Sequence, residues 1–230
     1  NFGKLPKRQV REAYKTVSKF LESNIFLGQA QEEKLKHSPY MEKPLLEEME
    51  ACRLHWKNKA LKRDAATRMQ YLKQFAIEFT FNTTSLEGNT ITLKEAQKLL
   101  EEDILPKDKT LREVHDIQNT ERVFLGMFDG HFSLDHAAII ELHKKLLANI
   151  DKRVGYRTED VHVFRSRFDA TPALYIKTDV GLLAKWSNTR DKAFHPFVHA
   201  GILHHKFEKI HPFYDGNGRT GRMLMIGSLL

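Results

Sequence analysis

Apolar positions recur at intervals of three and four along most of this chain, the spacing that lines one face of an α-helix. Met49, Cys52 and Trp56, then Leu61, Ala65, Met69, Leu72, Ala76 and Phe79, predict one long or broken amphipathic helix over residues 44–82. Thr92 with Glu95, and Thr110 with Glu113, have the spacing of capping boxes, in which a hydroxyl and a carboxylate satisfy orphan N–H groups of a first turn. They open two more helices, separated by Pro106. Ile139, Leu142, Leu146 and Leu147 form the buried side of a helix that follows Ser133, with Gly155 just beyond its end. Pro196 suits the first position of a helix running to Ile210, and Met223 to Ile226 reads as the start of a buried helix. One region departs from this period. Val161, His162, Val163 and Phe164 alternate, Pro172 interrupts, and Leu174-Tyr175-Ile176 follows, which predicts a short β-hairpin ahead of a helix near Thr178. The pattern is that of an all-α fold with one small hairpin, without internal repeats.

Composition narrows the class. The chain has 230 residues, 41% of them hydrophobic, and a mean hydropathy of −0.50, enough for one sizeable core without staples. Cys52 is the only cysteine, so no disulfide closes within the chain and no cysteine cluster holds a metal. That usage suits a reducing, cytoplasmic setting. No apolar run reaches spanning length and Asn1-Phe2-Gly3-Lys4 is not signal-like, so no membrane partner is expected. The missing initiator methionine and the end at Ser228-Leu229-Leu230, inside an apolar helix, are expected of a fragment truncated at its C-terminus.

The net charge is +7 and the isoelectric point about 9.3. Arg53, Lys57, Lys59, Lys62, Arg63 and Arg68 cluster on one predicted helix, relieved by Asp64. Such a run is ordinarily a solvated face, and no recognised DNA-binding pattern accompanies it. Nucleic-acid binding by this basic helix, residues 53–68, or by a module beyond the C-terminus stays open, as does a homo-oligomer. His195 and His199, with His204, His205 and His211 nearby, have ligand-like spacing, but no acid falls between the first pair as zinc peptidase chemistry requires.

The chemistry concentrates in His211-Pro212-Phe213-Tyr214-Asp215-Gly216-Asn217-Gly218-Arg219-Thr220-Gly221-Arg222. Gly216, Gly218 and Gly221 free the backbone to approach a ligand and let N–H groups converge on an anion at a helix N-terminus, where the dipole adds positive charge. Arg219 and Arg222, three apart, share a helical face and can clamp phosphate oxygens. Asp215 offers the hard oxygen that suits a magnesium ion bridging phosphates, and His211 a general base. The spacing Gly216-x-Gly218-x-x-Gly221 also matches the dinucleotide fingerprint, but no strand precedes it and no acid follows at about twenty residues. Walker A fails for want of Gly-Lys-[Ser/Thr].

These twelve residues resemble the full signature of Fic-domain proteins, nucleotide-dependent transferases that usually attach AMP from ATP to a hydroxyl side chain. The resemblance extends more weakly over residues 70–230, which implies a Fic-type helical bundle there, behind an N-terminal helical extension, residues 1–69. Members of the Doc branch, which act as kinases, carry Ala and Lys where this chain has Gly218 and Arg219, so AMP transfer is the expected reaction. The resemblance implies that ATP and Mg²⁺ lie on the cradle, Asp215 holding the metal and Gly216, Asn217, Gly218, Arg219, Gly221 and Arg222 the phosphates. His211 takes the proton of a Ser, Thr or Tyr hydroxyl on a target protein. In relatives the hairpin is a flap that seats the target, which assigns that role to Val161, His162, Val163 and Phe164. Upstream, Thr83-Thr84-Ser85-Leu86-Glu87-Gly88 is similar to the family's inhibitory motif, in which the glutamate pairs with the second arginine of the signature. That implies a Glu87–Arg222 pair and autoinhibition. The reverse reaction, removal of AMP with Glu87 engaging water, is the alternative the resemblance leaves open.

Overall fold

The computed structural model describes residues 22–33, 35, 38–128, 130, 132–163, 168–189 and 194–230, which fall into two compact units. One comprises Asn1–Arg68 with Ala193–His195, the other Met69–Lys192 with Pro196–Leu230.

In the first unit residues 22–32 are helical, and α1 spans Lys43–His55. Pro44 stands in its first turn, where a missing N–H forfeits no hydrogen bond. A π-helical segment, Trp56–Ala60, follows, and then the chain breaks. Asp64 restarts it by accepting the Thr67 N–H at 2.9 Å at the entry to α2, Ala65–Ser85. The expected helix over 44–82 is therefore broken, which also corrects the basic helix 53–68. Its cations do not share one helical face. Arg53 donates to Glu50 at 2.7 Å, while Arg68 donates to the carbonyls of Leu61 at 2.8 Å and Arg63 at 3.2 Å. Glu50 is buried and also meets His195 Nε2 at 2.8 Å.

The second unit holds α3 (Leu93–Glu102), α4 (Leu111–Gly126), α5 (His136–Leu146), α6 (Ile176–Asn188), α7 (Pro196–Ile210) and α8 (Asn217–Gly227). Both capping boxes form as the sequence predicts, with Thr92 and Thr110 as N-caps. α5 follows Ser133 as expected, with Asp135 as its N-cap: Asp135 Oδ1 accepts the Ala138 N–H at 2.9 Å, and Ser133 supports that carboxylate with its hydroxyl. α7 packs on α6 and α8, and α5 on α4, α6 and α8. Leu203 and Phe207 of α7, Val180 of α6, Ile139 of α5 and Leu224 of α8 meet Phe213 in one core. Phe207 and Phe213 are fully buried, each contributing roughly 1.5–3 kcal/mol by removal from water. A second cluster joins Ala76 of α2, Phe124 of α4, Leu146 and Leu147, and Met223 of α8. No helix among the described residues is long and apolar enough to cross a membrane.

The predicted hairpin is not seen among the described residues. Among the described residues no strand occurs here: residues 161–163 carry no regular structure, Ala173–Tyr175 is a 3₁₀ turn, and α6 begins at Ile176 rather than near Thr178. Phe164 lies outside the described residues. The reason lies in where the main-chain donors go. Arg157 N–H is accepted by the Pro212 carbonyl at 2.9 Å and Thr171 N–H by the Lys209 carbonyl at 3.3 Å, so the backbone flanking the predicted hairpin is tied to the end of α7 and the turn after it. Asp160 Oδ1 accepts the Ala173 N–H at 2.6 Å and fixes the turn that Pro172 opens. Alternation alone was a weak signal beside that turn chemistry.

Candidate active site

The signature residues begin where α7 ends. His211 N–H closes the last turn on the Phe207 carbonyl at 3.0 Å, its φ is 49°, and Pro212 then prevents the helix from continuing. A left-handed residue other than glycine costs on the order of 1 kcal/mol or more, so surrounding contacts must hold it. Arg157 does so. Its guanidinium is buried and donates from Nε to the His211 carbonyl at 2.8 Å, from Nη1 to the Glu159 carbonyl at 2.7 Å, and from Nη2 to the Thr171 carbonyl. Burial lowers the pKa of His211; the Glu208 carbonyl opposes the change and Arg157 adds to it. The imidazole is neutral at pH 7, as a proton acceptor requires.

The turn from Phe213 to Gly216 is shaped by Asn217. Its Oδ1 accepts the Phe213 N–H at 2.9 Å and its Nδ2 donates to the Phe213 carbonyl at 2.8 Å. His143, unnoticed in the sequence, stacks on Phe213 at 3.7 Å between centroids and donates from Nε2 to the Asp215 carbonyl at 3.0 Å, which assigns its tautomer. Gly216 has φ 77°, and a Cβ there would lie 2.5 Å from Leu147 Cδ2, so both conformation and space demand glycine. α8 starts at Asn217, earlier than the apolar run from Met223 suggested, with Gly216 as its N-cap and no side-chain cap. Gly218 and Gly221 consequently lie inside the helix and serve close approach. A Cβ at 218 would meet Glu87 Oε1 at 2.1 Å, and one at 221 would meet Glu208 Oε1 at 2.6 Å.

Two arginine networks meet here. Arg219 is buried, donating from Nη1 to Asp116 of α4 and from Nη2 to Asp215 Oδ1 at 3.1 Å, while its Nε is buried without a partner among the described residues. Asp116 also accepts from Asn89 at 3.3 Å. Asp215 Oδ1 further accepts the Gly216 N–H at 2.6 Å, and Oδ2 accepts from Arg112 at 2.5 Å. Burial opposes the charge of Asp215, yet Arg219, Arg112 and the Gly216 N–H hold its carboxyl below the ordinary value. A cavity of about 150 Å³ opens beside these groups, lined in part by Glu87, Arg112, Asp116, Asp215 and Arg219.

Arg222 faces the end of α2. It donates from Nε to Thr83 Oγ1 at 2.5 Å, and from Nη2 to the Thr83 carbonyl at 3.1 Å and Glu87 Oε1 at 2.5 Å. Gly88, with φ 95°, turns the chain there, and Asn89 Nδ2 ties the turn to the Glu113 carbonyl at 3.0 Å. The structure thus brings Thr83 and Glu87 to Arg222. Val161, His162 and Val163 are in no strand.

Asp116, Arg112, His143, Arg157 and Glu208 are site residues that sequence reasoning missed or left without a role. An acid and an amide on the buried face of α4, alongside Val114, Ile117 and Thr120, were a usable signal. Glu208 is half-buried, with Oε1 lacking a hydrogen-bond partner among the described residues and 3.8 Å from His204 Nδ1. Burial pushes its carboxyl up to about 7, Arg222 opposing and Glu87 adding to the rise. The folded state then binds this proton more tightly than the unfolded chain, so that stabilisation is complete below pH 4.5 and lost as pH rises through about 7. Glu208→Gln escapes the loss. It should melt progressively higher than wild type between pH 4.5 and 7 and stay above it, by about 1–3 kcal/mol at pH 8. Thermal melts across that range would contradict this if the difference were constant.

His195 lies with Glu50 in the first unit, and His199 stacks on Trp186 at 4.7 Å. Among the described residues no group of three or more His, Cys, Asp or Glu could hold a metal.

Residues 133–229 match the family model described as Fic/DOC family. The chain is 28% identical over 153 residues to protein adenylyltransferase fic-1 of Caenorhabditis elegans, covering 64% of this chain and 30% of that protein. It is 28% identical over 182 residues to protein adenylyltransferase Fic of Drosophila melanogaster, covering 75% and 34% respectively. The chain thus spans about a third of the length of these relatives. Among solved structures, it is similar to a Fic-domain-containing signaling protein from Bacteroides thetaiotaomicron, with a TM-score of 0.68 and 25% identity over 77% of this chain and 70% of that one.

Proposed function

Since the chain carries a Fic/DOC-family domain over residues 133–229, we propose that it is a protein adenylyltransferase, moving AMP from ATP to a hydroxyl side chain of a target protein. The observation that carries this reading is the join between α7 and α8, where a neutral imidazole, a carboxylate and a helix N-terminus follow one another in one buried turn. We further read residues 70–230 as the Fic domain, with the inhibitory motif at 83–88, and 1–69 as an extension.

Each residue then has a task. Helix geometry leaves the N–H groups of Asn217, Gly218 and Arg219 without intrahelical acceptors, and the dipole favours an anion there. ATP phosphates suit that turn, with the orphan Nε of Arg219 as a further donor. Asn217 contributes its main chain, since its side-chain amide is spent on Phe213. His211 accepts the proton of the target hydroxyl as that oxygen attacks the α-phosphorus; the bond to the β-phosphate oxygen breaks and pyrophosphate leaves. Arg219 and Arg222 neutralise the departing charge, Arg222 only once Glu87 has left it. Asp215 fits a hard divalent cation: it is one ionised carboxylate beside a cavity and an anion turn, the sparse protein contribution magnesium takes when phosphates supply other oxygens. When bound, Mg²⁺ would supply charge neutralisation on those phosphates.

Replacement of His211 with alanine is expected to lower AMP transfer about a hundredfold or more while leaving ATP binding intact. Transfer by the unsubstituted histidine should fall on acidification with a midpoint below the ordinary histidine value of 6.5. Radiolabelled AMP incorporation against pH measures both, and undiminished transfer by the variant would overturn the assignment.

A further inference from the structure

Arg112 belongs to no part of the signature, yet it reaches Asp215 across 103 residues. It sits in the first turn of α4, where the helix dipole disfavours a cation, so the helix itself gives no reason for an arginine there. The two Asp215 oxygens are used unequally. Oδ1 is fixed from within by the Gly216 N–H and buried Arg219, whereas the only partner of Oδ2 among the described residues is Arg112 Nη2. The Arg112 side chain is 59% exposed, and Asp151 lies within its electrostatic reach. The Oδ1 contacts therefore hold the Asp215 rotamer without Arg112, and both residues line the cavity.

We propose that Arg112 is a positioning residue that occupies the Asp215 oxygen a divalent cation would take, so that cation capture proceeds by displacement of Arg112. This rests on the adenylyltransferase reading of Asp215 and adds to it a competitor supplied by α4. The device keeps Asp215 oriented without a cation, and an ion pair whose arginine is largely exposed is weak enough for a divalent ion to displace.

The test titrates Mn²⁺ into protein saturated with a non-hydrolysable ATP analogue and reads the ion by electron paramagnetic resonance against the analogue alone, independently of catalysis. Arg112→Ala should bind Mn²⁺ roughly two- to fivefold more tightly than wild type, and Arg112→Lys should fall between, as a point charge without a fork. The gain should vanish in Arg112→Ala/Asp215→Asn. Arg153→Ala removes a nearby cation that pairs with Asp151 and does not touch Asp215, so it should give a smaller gain. An equal gain from Arg153→Ala, or none from Arg112→Ala while Asp215→Asn loses binding, overturns the Arg112 inference alone. Identical binding by wild type and Asp215→Asn overturns the cation role of Asp215 and this inference with it.

Discussion

Asp116→Ala should be the most destabilising single change near the site, lowering folding stability by roughly 2–4 kcal/mol and with it the melting temperature. The cause is the buried Arg219 charge. Its side chain is 3% exposed, and Asp116 and Asp215 are the carboxylates that compensate it. Truncating a partner of a buried pair leaves the other charge stranded, and Asp215, at 3.1 Å, offsets only part of that cost. Asp116→Asn should lose less, since it keeps an acceptor oxygen. Removing both charges with Asp116→Leu/Arg219→Met should recover much of the stability, because apolar packing often replaces a buried ion pair at little cost, while AMP transfer stays lost. Denaturant unfolding of the four proteins reads this directly; an Asp116→Ala protein as stable as wild type would mean that water reaches Arg219 freely.

The second large effect is a gain. Glu87→Gly removes the acceptor that holds Arg222 at 2.5 Å and should raise AMP transfer about 10- to 150-fold, the range that a charge-assisted hydrogen bond of roughly 1.5–3 kcal/mol spans. Arg222 keeps its place in the absence of Glu87, because Thr83 still accepts from it through both hydroxyl and carbonyl. The substitution also relieves crowding at Gly218, whose α-carbon faces Glu87 Oε1. Steady-state incorporation of AMP into a target protein measures the change, and a transfer rate equal to wild type would remove Glu87 from any inhibitory role.

Local chemistry was legible in the sequence, and distant pairing was not. The residues from His211 to Arg222 are contiguous, so their glycines, cap and charges could be read together; the two capping boxes could be read because each closes over three residues. Arg219 shows the limit. Its spacing from Arg222 suggested two equivalent phosphate clamps, but it is buried against Asp116, 103 residues earlier, and only the fold reveals that partner. Arg157 clamps three carbonyls, one of them belonging to His211 across a separation that no local pattern spans. The expected hairpin has no strand among the described residues: period-two alternation over four residues is short, whereas Pro172 and Asp160 commit the backbone at 172–175 to a turn. Gly218 and Gly221 were credited with a loop conformation, and only Gly216 of the three needs one; the other two sit where neighbouring carboxylates press against the helix.

The most direct test of AMP transfer under internal restraint compares intact masses of wild type, Glu87→Gly and Glu87→Gly/His211→Ala after incubation with ATP and magnesium, beside a lysate assayed for AMP-modified proteins. The account predicts an added adenylyl mass in the Glu87→Gly protein or its lysate targets, little in wild type, and none in the double variant. Absence of modification by every variant, with AMP instead lost from a pre-modified protein only when Glu87 is intact, would contradict it and establish the reverse reaction.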